Sequence, residues 1–260
     1  MKRRYIFFDI DGTLVAGGYG NSYIPESTIL ALDKLRRSGH FLAIATGRAQ
    51  AMAVDYMRSL GFRNMVSDGG YGVTIEDELL DITPLPKDKV VALIDECKAK
   101  GFAWALQVNN STVRSAPDNR FEEQTNDIYM RTEVVEGLDP RNYPALYKAY
   151  IACNAPDEQK LVSLRDLPWL RFFDNYIFVE PSDKSFGIRR IMDHFNAPYS
   201  DVVVFGDAAN DLSMFVDGWT KVAMGNAIDE LKARADYVTT NVECDGIYNA
   251  CVALHLFDEE

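Results

Sequence analysis

Three short apolar runs, each ending in a residue that can bind or donate, constrain this 260-residue chain more than any other feature. Tyr5-Ile6-Phe7-Phe8 stops at Asp9 and Asp11, Phe41-Leu42-Ala43-Ile44-Ala45 at Thr46, and Val202-Val203-Val204-Phe205-Gly206 at Asp207. Apolar runs of this length without alternation read as strands buried on both faces, the pattern of a parallel sheet covered by helices. A helix is expected from about Pro25, with Ile29, Leu32 and Leu35 on one face and Gly39 as its stop. A second, with Met52, Tyr56, Met57 and Leu60, stops at Gly61. Two strand–helix units in succession predict parallel strands joined by right-handed crossovers.

The pattern changes after Thr83-Pro84-Leu85-Pro86. A helix over Lys87–Lys100, stopped by Gly101, leads into shorter, aromatic-rich segments: Trp104–Val108, Val113, Tyr147–Ile151, Phe172-Phe173 and Tyr176–Val179. A further helix is expected from Pro156, with Asp157 and Glu158 in its first turn. The earlier pattern returns near Glu180-Pro181-Ser182-Asp183, with a helix over Ser185–Phe195, the strand at Val202, a strand Val222-Ala223-Met224 and a last helix over Gly246–Leu256. The expected architecture is α/β: a Rossmann-like parallel-sheet core from residues 1–82 and 183–260, with an inserted α+β domain at 83–182.

Composition narrows the partners. Hydrophobic residues make up 47%, with 14 Phe, 13 Tyr and 3 Trp, enough for a real core and against general disorder. No run approaches the roughly 20 apolar residues of a membrane span, and the apolar start halts at Asp9, too soon for a secretory signal. Charge sums to 27 − 39 = −12 without a basic tract, which argues against nucleic acid or a membrane surface as partner. Cys97, Cys153, Cys244 and Cys251 lack metal spacing and read as reduced thiols of a cytoplasmic protein. No heptad pattern speaks for an oligomeric state.

In open parallel sheets, ligands bind beyond the carboxyl ends of the strands. Asp9 and Asp11 are two apart, so in an extended chain both carboxylates leave from one side, and they repel unless a cation or proton lies between them. Gly12 lets the chain turn and present N–H groups to an anion, although the same residues also suit a plain strand-end turn. Asp207 and Asp211, either side of Asn210, share one face of a helical turn. With Asp9 they would form an all-oxygen site suited to Mg²⁺, while helix capping explains them equally well. Lys184 opens a helix, where a cation opposes the dipole unless an anion binds there; pairing with Asp183 is the plainer reading. Thr46 and Gly47 can hold a phosphate oxygen or cap a helix. His40, His194 and His255 are scattered, and no Gly-x-Ser-x-Gly, Gly-x-Gly-x-x-Gly or Gly-x-x-x-x-Gly-Lys motif occurs.

In chain order these segments resemble the haloacid dehalogenase superfamily of phosphohydrolases, in its Cof-like branch. Asp-Ile-Asp-Gly-Thr-Leu (9–14) looks like its first motif and Ala-Thr-Gly-Arg (45–48) its second. Lys184 looks like the third, and Gly-Asp-Ala-Ala-Asn-Asp-Leu-Ser-Met (206–214) the fourth. Ala-Met-Gly-Asn-Ala (223–227) and Asp245-Gly246 are similar to further signatures of the branch, which carries an α/β cap where this chain has its insert. Two departures stand out: Ser67-Asp68-Gly69-Gly70 replaces the usual Ser-Asn-Gly-Ala, and Ser-Phe-Gly after Lys184 replaces Gly-x-Ala.

The resemblance implies a Mg²⁺-dependent phosphatase of small phosphorylated metabolites, sugar phosphates being the commonest. Asp9 would be the nucleophile and Asp11 the acid and base. The metal would sit on the Asp9 carboxylate, the Asp11 main-chain carbonyl and Asp207, with Asp211 nearby. Thr46, Gly47 and Lys184 would hold the phosphate, and Asn210 would fix Lys184 or the phosphate. A sugar phosphomutase shares this core and cap. A phospho-accepting domain of the response-regulator kind is the rival from another class, although it has no use for an acid beside its phosphate.

Overall fold

The computed structural model describes residues 2–18 and 20–258, Phe172 by its backbone alone. The chain begins with β1 (Tyr5–Phe8), α1 (Glu26–Arg37), β2 (Phe41–Ala45), α2 (Gln50–Ser59), β3 (Met65–Ser67), β4 (Gly72–Ile75) and β5 (Glu78–Ile82). It continues through α3 (Lys87–Lys100), β6 (Trp104–Gln107), β7 (Val113–Ala116), α4 (Arg120–Thr125), β8 (Arg131–Val134), β9 (Lys148–Ala152), α5 (Ala155–Glu158), β10 (Trp169–Phe173) and β11 (Tyr176–Val179). It closes with α6 (Lys184–His194), β12 (Val202–Gly206), β13 (Thr220–Ala223), α7 (Asp229–Arg234), β14 (Tyr237–Val238) and α8 (Gly246–Ala253).

Contacts sort the chain into two units, one of Met1–Gly47, Tyr56–Leu80 and Asp183–Glu260, the other of Arg48–Asp55 and Asp81–Ser182. The first holds an eight-stranded sheet in the order β14-β13-β12-β1-β2-β3-β4-β5. From β14 to β3 the pairings are parallel, and β4 returns antiparallel to β3. β1, β2 and β12 are buried along their whole length, which is why their sequences carry no polar alternation. Registers Phe8↔Ile44 and Phe8↔Phe205 bring the three strands to an end at one level. α1 buries Thr28, Ala31, Leu32 and Leu35, a stripe at helical spacing. Ile29, expected on that face, is exposed, because the stripe runs through Thr28 one position earlier.

The second unit is an α+β layer whose six-stranded sheet runs β10-β11-β9-β6-β7-β8, antiparallel except between β7 and β8. α3 presses Val90, Leu93, Ile94 and Cys97 into one core with Trp104, Leu106 and Ile151. Phe121, Tyr150, Tyr176 and Phe178 belong to a second. The helix expected from Pro156 is a single turn, α5. Beyond it Leu161, Leu164 and Leu167 point into the first of these cores at a spacing of three, and the chain follows them as a 3₁₀ turn over Val162–Asp166. Trp104 is core. Phe173 is exposed and stacks on Tyr176 with ring centroids 5.0 Å apart, and Tyr147 is half-buried. Among the described residues no helix is long and apolar enough to cross a membrane.

Candidate active site

Asp9 follows β1 directly, buried, and donates its N–H to the carbonyl of Phe205 at 3.0 Å. The chain then turns at once: the Ile10 carbonyl accepts the N–H groups of Leu14 (3.0 Å) and Val15 (2.9 Å), and Gly12 donates to Val15 O at 2.9 Å. The expected extended geometry, with both carboxylates leaving one side of a strand, is therefore not what forms. Asp9 points into the sheet end while Asp11 lies exposed on the turn. Gly12 has φ +85°, and a Cβ on it would lie 2.2 Å from Oδ2 of Asp207, so only glycine fits there.

Asp207 follows β12. Its Oδ1 accepts a hydrogen bond from the Thr13 hydroxyl at 2.9 Å, tying the two acid-bearing turns together. Asp211 sits on a 3₁₀ helix, Ala209–Met214, not the α-helix expected. Its fully buried Oδ2 accepts the N–H groups of Asp207 (2.9 Å) and Ala208 (3.0 Å), so the turn closes on a carboxylate rather than on a backbone ladder. Asp211 thus caps the turn and lies in the acidic cluster at once.

Lys184 opens α6 and is 1% exposed. Its ammonium reaches Asp9 Oδ1 at 2.6 Å and Asp211 Oδ1 at 2.5 Å; Asp183, the plainer partner, accepts from Ser185 Oγ instead. The contact to Lys184 expected of Asn210 is made by its neighbour Asp211, while Asn210 gives its carbonyl to the Ser213 hydroxyl at 3.2 Å. Thr46 lies just past β2, buried, donating its N–H to Val66 O at 2.8 Å and accepting Gly69 N–H at 3.3 Å through its carbonyl; Gly47 follows, half-buried.

The electrostatics follow from burial. Asp9, Asp207 and Asp211 offer carboxylate oxygens all within 4.8 Å of one another; the Asp11 carboxylate is not one of this group. Desolvation, then the charge of Asp211, push the Asp9 carboxyl up to about 7, although Lys184 pulls the other way. Desolvation likewise raises Asp207 to about 6 against the hydrogen bond from Thr13. Burial opposes the Lys184 ammonium, but Asp211 and Asp9 outweigh it and hold it above its ordinary value. Among the described residues Lys184 forms ion pairs with Asp9 and Asp211, and no cation pairs with Asp207. An all-carboxylate set carrying more negative charge than its one ammonium neutralises fits a hard divalent cation such as Mg²⁺.

Three contributors went unread in the sequence. Thr13 holds Asp207 and Ser213 Oγ accepts the Lys184 N–H at 3.0 Å. The third is a pair of glycines, at the two departures from the family pattern. A Cβ on Gly70 (φ +112°) would lie 1.8 Å from Asp183 O, and one on Gly187 would lie 2.6 Å from Gly70 O. Backbone presses on backbone at the two positions where the family pattern has alanine, and the start of α6 rests on the 68–70 turn. Within that turn Asp68 is buried at φ +52°, its Oδ2 accepting from Ser67 Oγ at 2.9 Å.

Comparison with known proteins agrees with this geometry. The family model described as haloacid dehalogenase-like hydrolase matches residues 6–251. A "putative phosphatase YkrA" of Bacillus subtilis is 30% identical over 269 residues, covering 98% of this chain and 99% of its own. A crystal structure of a hypothetical protein from Geobacillus kaustophilus superposes with TM-score 0.83 at 31% identity, over 98% of this chain and 100% of the other. The structure of a subclass IIB sugar phosphatase, BT4131, does so with TM-score 0.76 at 26% identity, over 98% and 100%. The chain belongs to the haloacid dehalogenase-like hydrolases, in their Cof-like phosphatase branch.

Proposed function

We propose that this enzyme hydrolyses small phosphate monoesters, sugar phosphates foremost, through an aspartyl phosphate on Asp9. The observation that carries the reading is the convergence of Asp9, Asp207, Asp211 and Lys184, from three separate stretches of chain, in one buried cluster. A carboxylate oxygen of Asp9 attacks phosphorus in line, and the bond from phosphorus to the ester oxygen breaks. Asp11, protonated, gives its proton to that leaving oxygen. Its carboxylate then takes a proton from water, whose oxygen attacks phosphorus and frees both Asp9 and inorganic phosphate. Thr46, Gly47 and Lys184 hold the remaining phosphate oxygens, with Asn210 beside them.

Mg²⁺ would be held by the carboxylates of Asp9 and Asp207 and the main-chain carbonyl of Asp11, with Asp211 behind them, and when bound offsets the repulsion between Asp9 and the incoming phosphate. Local groups thereby invert the field of a chain whose net charge is −12. The likeness to a solved sugar phosphatase supports the sugar-phosphate preference. We read residues 83–182 as the cap that sets specificity and the core as 1–82 and 183–260. The four unbridged cysteines support a reducing, cytoplasmic setting.

A screen of phosphate monoesters for free phosphate, with Mg²⁺, with EDTA and without any bisphosphate activator, tests the reading. Phosphate release that needs Mg²⁺ and is lost in Asp9→Asn is expected. Release from no ester, or most activity surviving in Asp9→Asn, overturns it; turnover only with a bisphosphate makes the protein a mutase.

A further inference from the structure

The loop after β13, Met224-Gly225-Asn226-Ala227-Ile228, takes no part in the chemistry above, yet it is bonded to both acid-bearing turns. Met224 N–H donates to Gly206 O at 3.0 Å and Ile228 N–H to Asp207 O at 2.9 Å. Asn226 Nδ2 donates to the carbonyl of Gly12, the residue after Asp11, at 2.8 Å. The other end of the same carboxamide accepts the N–H of Val242 at 2.9 Å, and Gly225 N–H reaches Thr240 O at 3.0 Å. The segment before α8 therefore anchors the loop that in turn holds the turns of Asp11 and Asp207.

Asn226 is exposed, so its two hydrogen bonds do little for the stability of the core. What they fix is the position of one carbonyl. Gly12 is wedged against the Asp207 carboxylate, where a single added carbon would stand 2.2 Å from Oδ2. Its carbonyl lies one residue past Asp11, on the same turn whose Gly12 N–H is held by Val15 O. A primary amide suits the task because it offers one donor and one acceptor on a short stem. A carboxylate of the same shape keeps the acceptor for Val242 and turns an oxygen, instead of a donor, against Gly12 O.

We propose that Asn226 is a positioning residue for phosphoryl transfer: it pins the Gly12 carbonyl and through it sets Asp11 relative to the Asp207 turn. The inference rests on the phosphatase reading. The test is steady-state hydrolysis of p-nitrophenyl phosphate with Mg²⁺ by the full chain and by its Asn226→Asp and Asn226→Ala variants. A fall in kcat of about 10- to 100-fold is expected from a misplaced catalytic group, with KM within about twofold. The thermal midpoint should stay near the parent's. Variants with kcat within about twofold of the parent, or with KM and thermal midpoint moving together with kcat, overturn the positioning role. A parent chain that releases phosphate from no monoester refutes the phosphatase reading itself, whereas an active parent with unaffected variants refutes only the role of Asn226.

Discussion

The ammonium of Lys184 stands 2.6 Å from Oδ1 of Asp9, and both groups are almost wholly buried. Because the same ammonium also meets Asp211, removing it strands two carboxylates in the interior. In metal-free protein, Lys184→Met is expected to cost about 3–5 kcal/mol of stability, the usual penalty for breaking a buried pair from one side. Urea unfolding measures this. Turnover should fall at least about a hundredfold, since the donor aimed at the phosphate is lost. An unchanged unfolding midpoint would contradict the assigned pairing.

Among the described residues no cation pairs with Asp207, and its carboxyl is raised from 3.8 to about 6. A raised acid stabilises the fold while protonated, and that contribution drains away as pH climbs from about 4 through about 6. Mg²⁺ at a hundred times its pH 8 Kd should therefore stabilise the protein by about 2.7 kcal/mol at pH 8, and the same concentration should raise the thermal midpoint less at pH 5. Asp207→Asn should lose most of that response. Equal shifts at both pH values, or an undiminished shift in the variant, would show that the cation binds elsewhere.

Gly70 lies against the Asp183 backbone and Gly187 against Gly70 O, so alanine at either position is expected to harm this chain. In Gly70→Ala a methyl would fall 1.8 Å from Asp183 O at a φ of +112°. Strain and overpacking together predict a loss of about 3 kcal/mol by chemical denaturation. Gly187→Ala would meet Val66 at 2.5 Å and Gly70 O at 2.6 Å, but without a positive φ it lacks the backbone strain of Gly70 and should cost less.

His40 accepts the Arg4 N–H on Nδ1 at 3.0 Å, so its other nitrogen, 2.6 Å from Leu256 O, carries the hydrogen. Burial, aided by the charge of Arg4, lowers its pKa from 6.5 despite the pull of Leu256 O. A depressed base supports the fold above its unfolded value, and that support is lost as pH falls from about 6.5 through the lowered value. Thermal midpoints between pH 7 and pH 5 should drop more steeply for the parent than for His40→Gln. Parallel slopes would exclude His40 from the acid response.

Long apolar strands and capped helices were legible from the residues alone: Val202–Gly206, Tyr176–Val179 and Lys87–Lys100 form where expected. Their signals are local, being an unbroken apolar run or a helix closed by Gly101 in the left-handed region. β5 and β14 escaped notice because Glu78–Ile82 is largely exposed and Tyr237–Val238 is two residues long. Lys184 and Asp211 stood out only through the resemblance to the family's ordered motifs, whereas Asp9 and Asp207 were legible because strand ends announce themselves. Thr13 and Ser213 were not, since the groups they hold lie 194 and 29 residues away in the chain and a lone hydroxyl carries no mark of its partner. Gly70 and Gly187 depart from the motif because a Cβ on Gly70 would strike the Asp183 carbonyl and one on Gly187 would strike Gly70 O and Val66.

The central place of β1 bears on how the protein must be made. Its partner on one side, β2, is translated soon after it, but its partner on the other, β12, pairs Phe8 with Phe205 and emerges nearly 200 residues later. Throughout that interval the nascent chain holds a wholly apolar strand with one open edge, a template for pairing with another chain. A message truncated before Val202 would thus yield an aggregating fragment, and the cell's demand for chaperoning should fall on the stretch of synthesis before Val202 emerges.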